Sequence, residues 1–280
     1  MSARAWFVRL TPEHAVELFV LANFAFLGGD IALAHRANAF AAKLEWAPLV
    51  FSALAVLALP VGMLGIVGRR ARRWLDLTVA YGAILVGVIG TVCHLAGSFF
   101  LSPTLHNLVY AAPFAAPLAY IGVGLLLILV RMEPAGSDAL GPWLLVLSLG
   151  GVSGNFALSL LDHAQNGFFS LTEWIPVAAA AFGASFLLLA VWKPTPAFLR
   201  LCYAVCALEA LVGVLGFALH LASQTKSAAS SLLDRLVYGA PAFAPLLFTN
   251  MALLSAIGLW ASLRGAVVST LEPDHAAGHE

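Results

Sequence analysis

Eight stretches of this chain, 11–35, 46–67, 76–101, 107–130, 142–162, 174–192, 195–223 and 236–263, stay apolar for roughly the thickness of a lipid bilayer. Nothing else in the sequence restricts the fold as strongly. A hydrocarbon core about 30 Å thick is crossed by about 20 helical residues, and backbone groups in lipid find no water to bond, so each stretch predicts a helix. Boundary signals agree. Thr11-Pro12-Glu13 offers a threonine cap, a proline at the first helical position and an acid in the first turn, and Thr195-Pro196 likewise opens the seventh stretch. Hydrophobic residues make up 61% of the chain and charged ones 10%, against about 25% charged in soluble domains, so the expected class is an all-α integral membrane protein.

An even number of spans puts both termini on one side. The loops of that side hold Arg4, Arg9, Arg69, Arg70, Arg72, Arg73, Arg131, Lys193, Arg200 and Arg264, whereas the opposite loops hold Arg36, Lys43, Lys226 and Arg235. The positive-inside rule then predicts a multi-pass protein of the cell membrane with both termini cytoplasmic. The segment before the first stretch has two arginines and no signal-peptide cleavage pattern. A formal net charge of zero argues against a nucleic-acid partner, and the first expected partner is the bilayer itself. Cys93, Cys202 and Cys206 all fall in apolar stretches and read as packing residues. No phosphate-binding loop, hydrolase elbow or zincin helix is present, which disfavours ATP-driven and proteolytic functions.

The two halves of the chain match. Asn23-Phe24-Ala25 with Asp30 seven residues after the asparagine recurs as Asn155-Phe156-Ala157 with Asp162. Glu45-Trp46-Ala47-Pro48 recurs as Glu173-Trp174-Ile175-Pro176, and His94-Leu95-Ala96 as His220-Leu221-Ala222. Leu108-Val109-Tyr110 with Pro113 and Pro117 recurs as Leu236-Val237-Tyr238 with Pro241 and Pro245. The order is the same in both halves. The expected architecture is therefore eight transmembrane helices in two parallel-oriented four-helix repeats, related by a pseudo-two-fold axis along the membrane normal. The repeats are expected over 1–131 and 142–264, with a cytoplasmic linker over 132–141 and a polar, disordered tail over 265–280.

On this topology the repeated polar residues gather near the outer face. Asp30 and Asp162 lie in the last turns of the first and fifth helices, His94 and His220 near the ends of the third and seventh, and Glu45 and Glu173 at the starts of the second and sixth. His35, His106 and His163 sit close to the same boundary. An Asp or Glu at a bilayer centre costs about 2.5–3.5 kcal/mol, less near the interface, and usually marks a site or a pathway. Plainer readings stand beside this one. A Glu-Trp-x-Pro start suits a helix N-terminus by itself, Asp162 and His163 can rest in water at a helix end, and a neutral imidazole can simply bond a neighbouring helix. The paired prolines are expected to kink the fourth and eighth helices and free backbone carbonyls, themselves candidate partners for the histidines.

Imidazoles with carboxylates suit a transition metal, iron or copper favoured. Asp30, Glu45, His94, Asp162, Glu173 and His220, with His35 and His163 as further candidates, provide the ligand types of a di-metal centre, though without the Glu-x-x-His motif of ferritin-like bundles. The second chemistry is haem. Either His94 and His220 share one porphyrin, or each half holds its own through His35 with His94 and His163 with His220, with Gly87, Gly90, Gly213 and Gly216 expected to leave room for the macrocycle. A tandem pair of four-helix bundles with histidines resembles the layout of membrane haem proteins such as haem A synthase, of which no further motif is found. Glu209, one face with His220 and matched by Ala83 in the first half, heads a polar track with Asn250, Asn155 and Asp162 that reads as a proton relay, the one catalytic candidate. Three functional readings follow: a redox-active membrane metalloprotein or haem protein with an extracytoplasmic electron-transfer partner, a secondary transporter or metal-ion permease, or a non-catalytic subunit or assembly factor of a membrane complex.

Overall fold

The structure, a computed structural model, describes residues 10–134, 136–225 and 231–271, with side chains to residue 265. Ten α-helices and no strand are found among the described residues. They are α1 (Pro12–Arg36), α2 (Ala47–Met63), α3 (Arg69–Ala96), α4 (Leu105–Val109), α5 (Leu118–Met132), α6 (Leu140–Gln165), α7 (Trp174–Trp192), α8 (Pro196–Gln224), α9 (Leu232–Tyr238) and α10 (Leu246–Leu271). Short 3-10 turns, Lys43–Trp46 and Leu171–Glu173, lead into α2 and α7. Seven helical segments are long and apolar enough to cross a membrane, and α5 is a shorter apolar one. The protein is a helical, multi-pass membrane protein.

The cap residues act as the sequence predicts: Thr11 Oγ1 accepts from His14 N at 3.3 Å, and Thr195 Oγ1 from Phe198 N at 3.4 Å. Several boundaries differ: α2 ends at Met63 rather than Val67 and α3 at Ala96 rather than Leu101. α3 starts at Arg69 rather than Asp76, so the arginine run is the first turns of the helix, not a loop. The proline pairs do more than kink. Pro113 and Pro117 split the fourth stretch into α4 and α5, and Pro241 and Pro245 split the eighth into α9 and α10. A proline lacks the N–H and clashes with the preceding turn, and two of them four residues apart leave no room to resume the ladder between them. The tail expected over 265–280 starts later, because α10 continues to Leu271; the residues beyond it lie outside the described ones, as do Arg4, Arg9 and Lys226.

Helices α1, α2, α3 and α5 pack as a ring in which α1 and α3 stand diagonally; α6, α7, α8 and α10 pack in the same cyclic order. The rings meet through α5 on α6 and α10 on α1, and each short helix crosses over, α4 onto α6 and α9 onto α1. Phe24, Phe51 and Tyr120 fill the first ring, with ring centroids 5.8–6.3 Å apart. The Tyr120 hydroxyl meets Ser52 Oγ at 2.7 Å and donates to Pro48 O at 3.0 Å. Between the rings, Asn250 Nδ2 donates to Asn23 Oδ1 at 2.6 Å and Asn23 Nδ2 returns the bond at 3.2 Å.

Opposite to the histidines, the first ring buries a four-charge cluster that the sequence did not single out. Arg131 Nε donates to Asp76 Oδ2 at 2.7 Å and its Nη2 pairs with Glu17 Oε1; Arg72 Nη2 reaches the same Glu17 oxygen at 2.5 Å. Glu17 and Asp76 are only 5% and 2% exposed. Arg72 and Arg131, counted above among loop charges, are thus the counter-ions of two buried acids drawn from α1 and α3. A buried ion costs several kcal/mol unless it is paired, so the cluster is stable as a neutral set of four and unstable with one member missing. Asp76→Ala is expected to lower unfolding stability in detergent by about 3–5 kcal/mol. Arg69→Ala, on an exposed side chain, should leave it unchanged within about 0.5 kcal/mol; denaturant unfolding followed by circular dichroism checks both.

Candidate functional site

Where α5 and α10 are broken, carbonyls leave the helical ladder, and histidines occupy them. His94 Nδ1 lies 3.0 Å from Pro113 O, and His220 Nδ1 lies 2.8 Å from Pro241 O. His35 Nδ1 does the same with Glu45 O at 3.1 Å. A carbonyl can only accept, so Nδ1 carries a proton in all three rings, and in the neutral imidazole Nε2 is then the nitrogen with the free lone pair. His35 ends α1 and His94 ends α3, the diagonal helices of the first ring, and their ring centroids are 6.4 Å apart. In the second ring His163 and His220 occupy the corresponding ends of α6 and α8, within electrostatic reach of one another. All four imidazoles are partly buried.

An aromatic clasp that the sequence reading missed closes over each α1-type histidine. Phe40 stacks on Trp46 at 4.3 Å and stands 6.0 Å edge-on to His35; Phe168 stacks on Trp174 at 4.0 Å and stands 6.1 Å from His163. The turns match in detail. Phe40 N bonds His35 O and Phe168 N bonds His163 O, both at 3.1 Å, and both phenylalanines have positive φ. The signal was present in the sequence, a histidine followed by Phe five and Trp eleven residues later, twice.

Those turns also correct a register. Asp30 lies five residues before His35, but Asp162 lies one residue before His163, so the two Asn-Phe-Ala…Asp motifs differ in height by one helical turn. Asp162 lines a groove between α6 and the 108–115 segment, with Leu108, Ala111, Pro113 and Gln165. Asp30 is half-buried and has no hydrogen bond or ion pair among the described residues. Glu45 turns its carboxylate away from His35, accepting from Ala42 N and Asn38 Nδ2, each at 3.2 Å. Glu173 is buried and aims Oε2 at His163 Nδ1, 3.6 Å away. His106 is exposed beside Tyr110. Among the described residues no three His, Cys, Asp or Glu side chains stand together as a metal-holding group.

The four glycines do not leave space for a macrocycle. A Cβ on Gly87 would meet Ile121 Cγ1 at 2.6 Å and Pro117 O at 2.9 Å, and one on Gly90 would meet Pro117 Cβ at 2.9 Å. Gly213 and Gly216 stand likewise against Thr249 and Pro245. Their role is to let α3 and α8 close on the helix that follows each break. The polar track is also redrawn. Asn250 is engaged with Asn23, Asn155 Nδ2 is buried without a partner, and Glu209 lies inside the second ring beside Gly183 with Oε1 buried and unpartnered. A small cavity next to Glu209 is lined by Val152, Phe186, Cys206 and Ser255.

Compared with known proteins, the chain matches no family model, no curated protein and no solved structure. Its site stands on its own residues. In protein free of any cofactor, 15N NMR should show Nε2 as the unprotonated nitrogen of His35, His94 and His220. Replacing Pro117 with Ala should restore an N–H four residues beyond the Pro113 carbonyl, return that carbonyl to the helical ladder and lose the preference at His94 alone.

Proposed function

We propose that this protein is a redox-active membrane haem protein with two haem sites, one between His35 and His94 and one between His163 and His220. The carrying observation is the His35–His94 pair: centroids 6.4 Å apart, both Nδ1 atoms held by backbone carbonyls. Two imidazoles binding one metal from opposite sides, with metal–nitrogen bonds of about 2.0–2.1 Å, have centroids about 6 Å apart. A porphyrin brings four nitrogens and asks the protein for two axial ligands, which this pair offers. Diagonal helices suit that task, because they face one another across the bundle without packing together. Carbonyl bonds at Nδ1 fix the tautomer and ring orientation that ligation at Nε2 requires.

The wider reading is a pair of four-helix repeats in parallel orientation, eight spans in all, with termini cytoplasmic and the haems near the extracytoplasmic face. The two identical packing rings, the reciprocal crossing of α4 and α9, and the matched clasps support it. The excess of arginine at the opposite end supports the orientation. An electron-transfer partner would then dock outside, and Glu209 would carry protons within the second ring. A transporter remains the second reading, favoured by one observation: helices broken at matched positions are a feature of transporter binding sites.

Absorption spectra with iron analysis on protein purified from membranes test the proposal. Two haems per chain are expected. His94→Ala should lose one, His220→Ala the other, and the double variant both. Iron-free protein, or full occupancy in the double variant, overturns the reading.

A further inference from the structure

The two histidine pairs share their aromatic clasps and differ in the group that faces Nδ1 of the α1-type histidine. For His35 it is the neutral carbonyl of Glu45, at 3.1 Å. For His163 it is the carboxylate of Glu173, Oε2 at 3.6 Å, buried and without any hydrogen bond of its own. The cause lies three residues earlier. Position 42 is alanine and cannot cap the 3-10 turn, so Glu45 bends back and accepts from Ala42 N at 3.2 Å. The matching position in the second half is Ser170, whose Oγ accepts from Thr172 N at 3.4 Å and meets Thr172 Oγ1 at 2.8 Å. The serine takes over the capping, and Glu173 is released to face the imidazole.

We infer that Glu173 is a positioning residue that makes the second-half centre the more reducing of the two. This rests on the haem reading above and deepens it. A ligating imidazole whose far N–H points at a carboxylate is a more basic ligand than one held by a carbonyl. A more basic ligand stabilises oxidised iron over reduced iron, which lowers the potential of that centre. Two centres with identical ligands thereby acquire an order. With haem held by both pairs, Glu173 would favour electron transfer from the second-half site to the first-half site over the reverse.

Potentiometric titrations on the single-site variants test this. His94→Ala isolates the second-half centre and His220→Ala the first-half one. The former should show the lower midpoint potential; Glu173→Gln added to it should raise that midpoint, and Glu173→Asp should give a partial rise if the glutamine variant accumulates poorly. Glu45→Gln added to His220→Ala should move the first-half midpoint less, because the Glu45 carboxylate is held by Ala42 N and Asn38 Nδ2 and meets His94 only through space. Equal midpoints, or an unmoved midpoint in Glu173→Gln with haem still bound, overturn the inference. A haem-free wild-type protein would instead sink the reading beneath it. Proton NMR of that protein then decides on Glu173 alone: a His163 Nδ1 proton downfield of that of His35, returning in Glu173→Gln, upholds its role, and an unshifted one removes it.

Discussion

Everything at the histidine end depends on two hydrogen bonds, His94 Nδ1 to Pro113 O and His220 Nδ1 to Pro241 O. Within a bilayer a helix cannot be interrupted without stranding carbonyls that water cannot reach, and each stranded group costs several kcal/mol. The imidazoles help to relieve that cost, Pro113 O also accepting from Ala116 N at 3.1 Å, and are themselves fixed by the bond. Two further side chains complete the work, Gln165 Nε2 donating to Val109 O at 2.6 Å and Gln224 Nε2 to Ala240 O at 2.9 Å. The glycines set the height. Gly87 and Gly90 admit Pro117 against α3, so the break is held at a constant distance along the helix from His94, seven residues beyond Gly87. Glycine, proline and histidine thus form one device, and it occurs twice.

Nothing comparable is shared at the other end. On the register of the proposed repeats, Glu17, Arg72, Asp76 and Arg131 stand opposite Leu145, Phe198, Cys202 and Leu259, all members of or packed against the apolar core of the second ring. One ring is fixed by a neutral set of four charges drawn from three helices, the other by close packing of the same positions. Replacing a buried ion set by apolar residues of similar volume is often energetically neutral, so either solution holds a bundle together. They differ in what they tolerate. Ion pairs with two-pronged geometry fix helices in height as well as contact, which apolar packing does less strictly.

The membrane class, seven of the long apolar helices and the repeated histidines were legible because apolar length, proline and imidazole are rare enough to register in one dimension. The charge cluster was not. Glu17 and Asp76 look like isolated acids, and their partners Arg72 and Arg131 sit where cytoplasmic loops were expected; no periodicity tells which residues of three helices converge. The aspartate register failed for a different reason. A shift of four residues keeps a side chain on nearly the same helical face while moving it about 6 Å along the axis, so a motif can match in spacing and still sit at another depth. The helix breaks were half legible: the prolines marked the place, but an apolar run reads as continuous whether bent or cut.

The residues that separate the halves are single substitutions on a common frame: Ala42 against Ser170, Ala83 against Glu209, Gly122 against Asn250. The first changes which neighbour the following glutamate faces on turns that match at Phe40 and Phe168. Duplicated sites with equal surroundings would have no reason to exchange anything in one direction, since neither would be lower in free energy. A serine that relieves a glutamate of capping is enough to make the surroundings unequal. On the proposed reading, therefore, the frame would provide two places for the same chemistry, and the polar side chains just outside the imidazoles the difference between them.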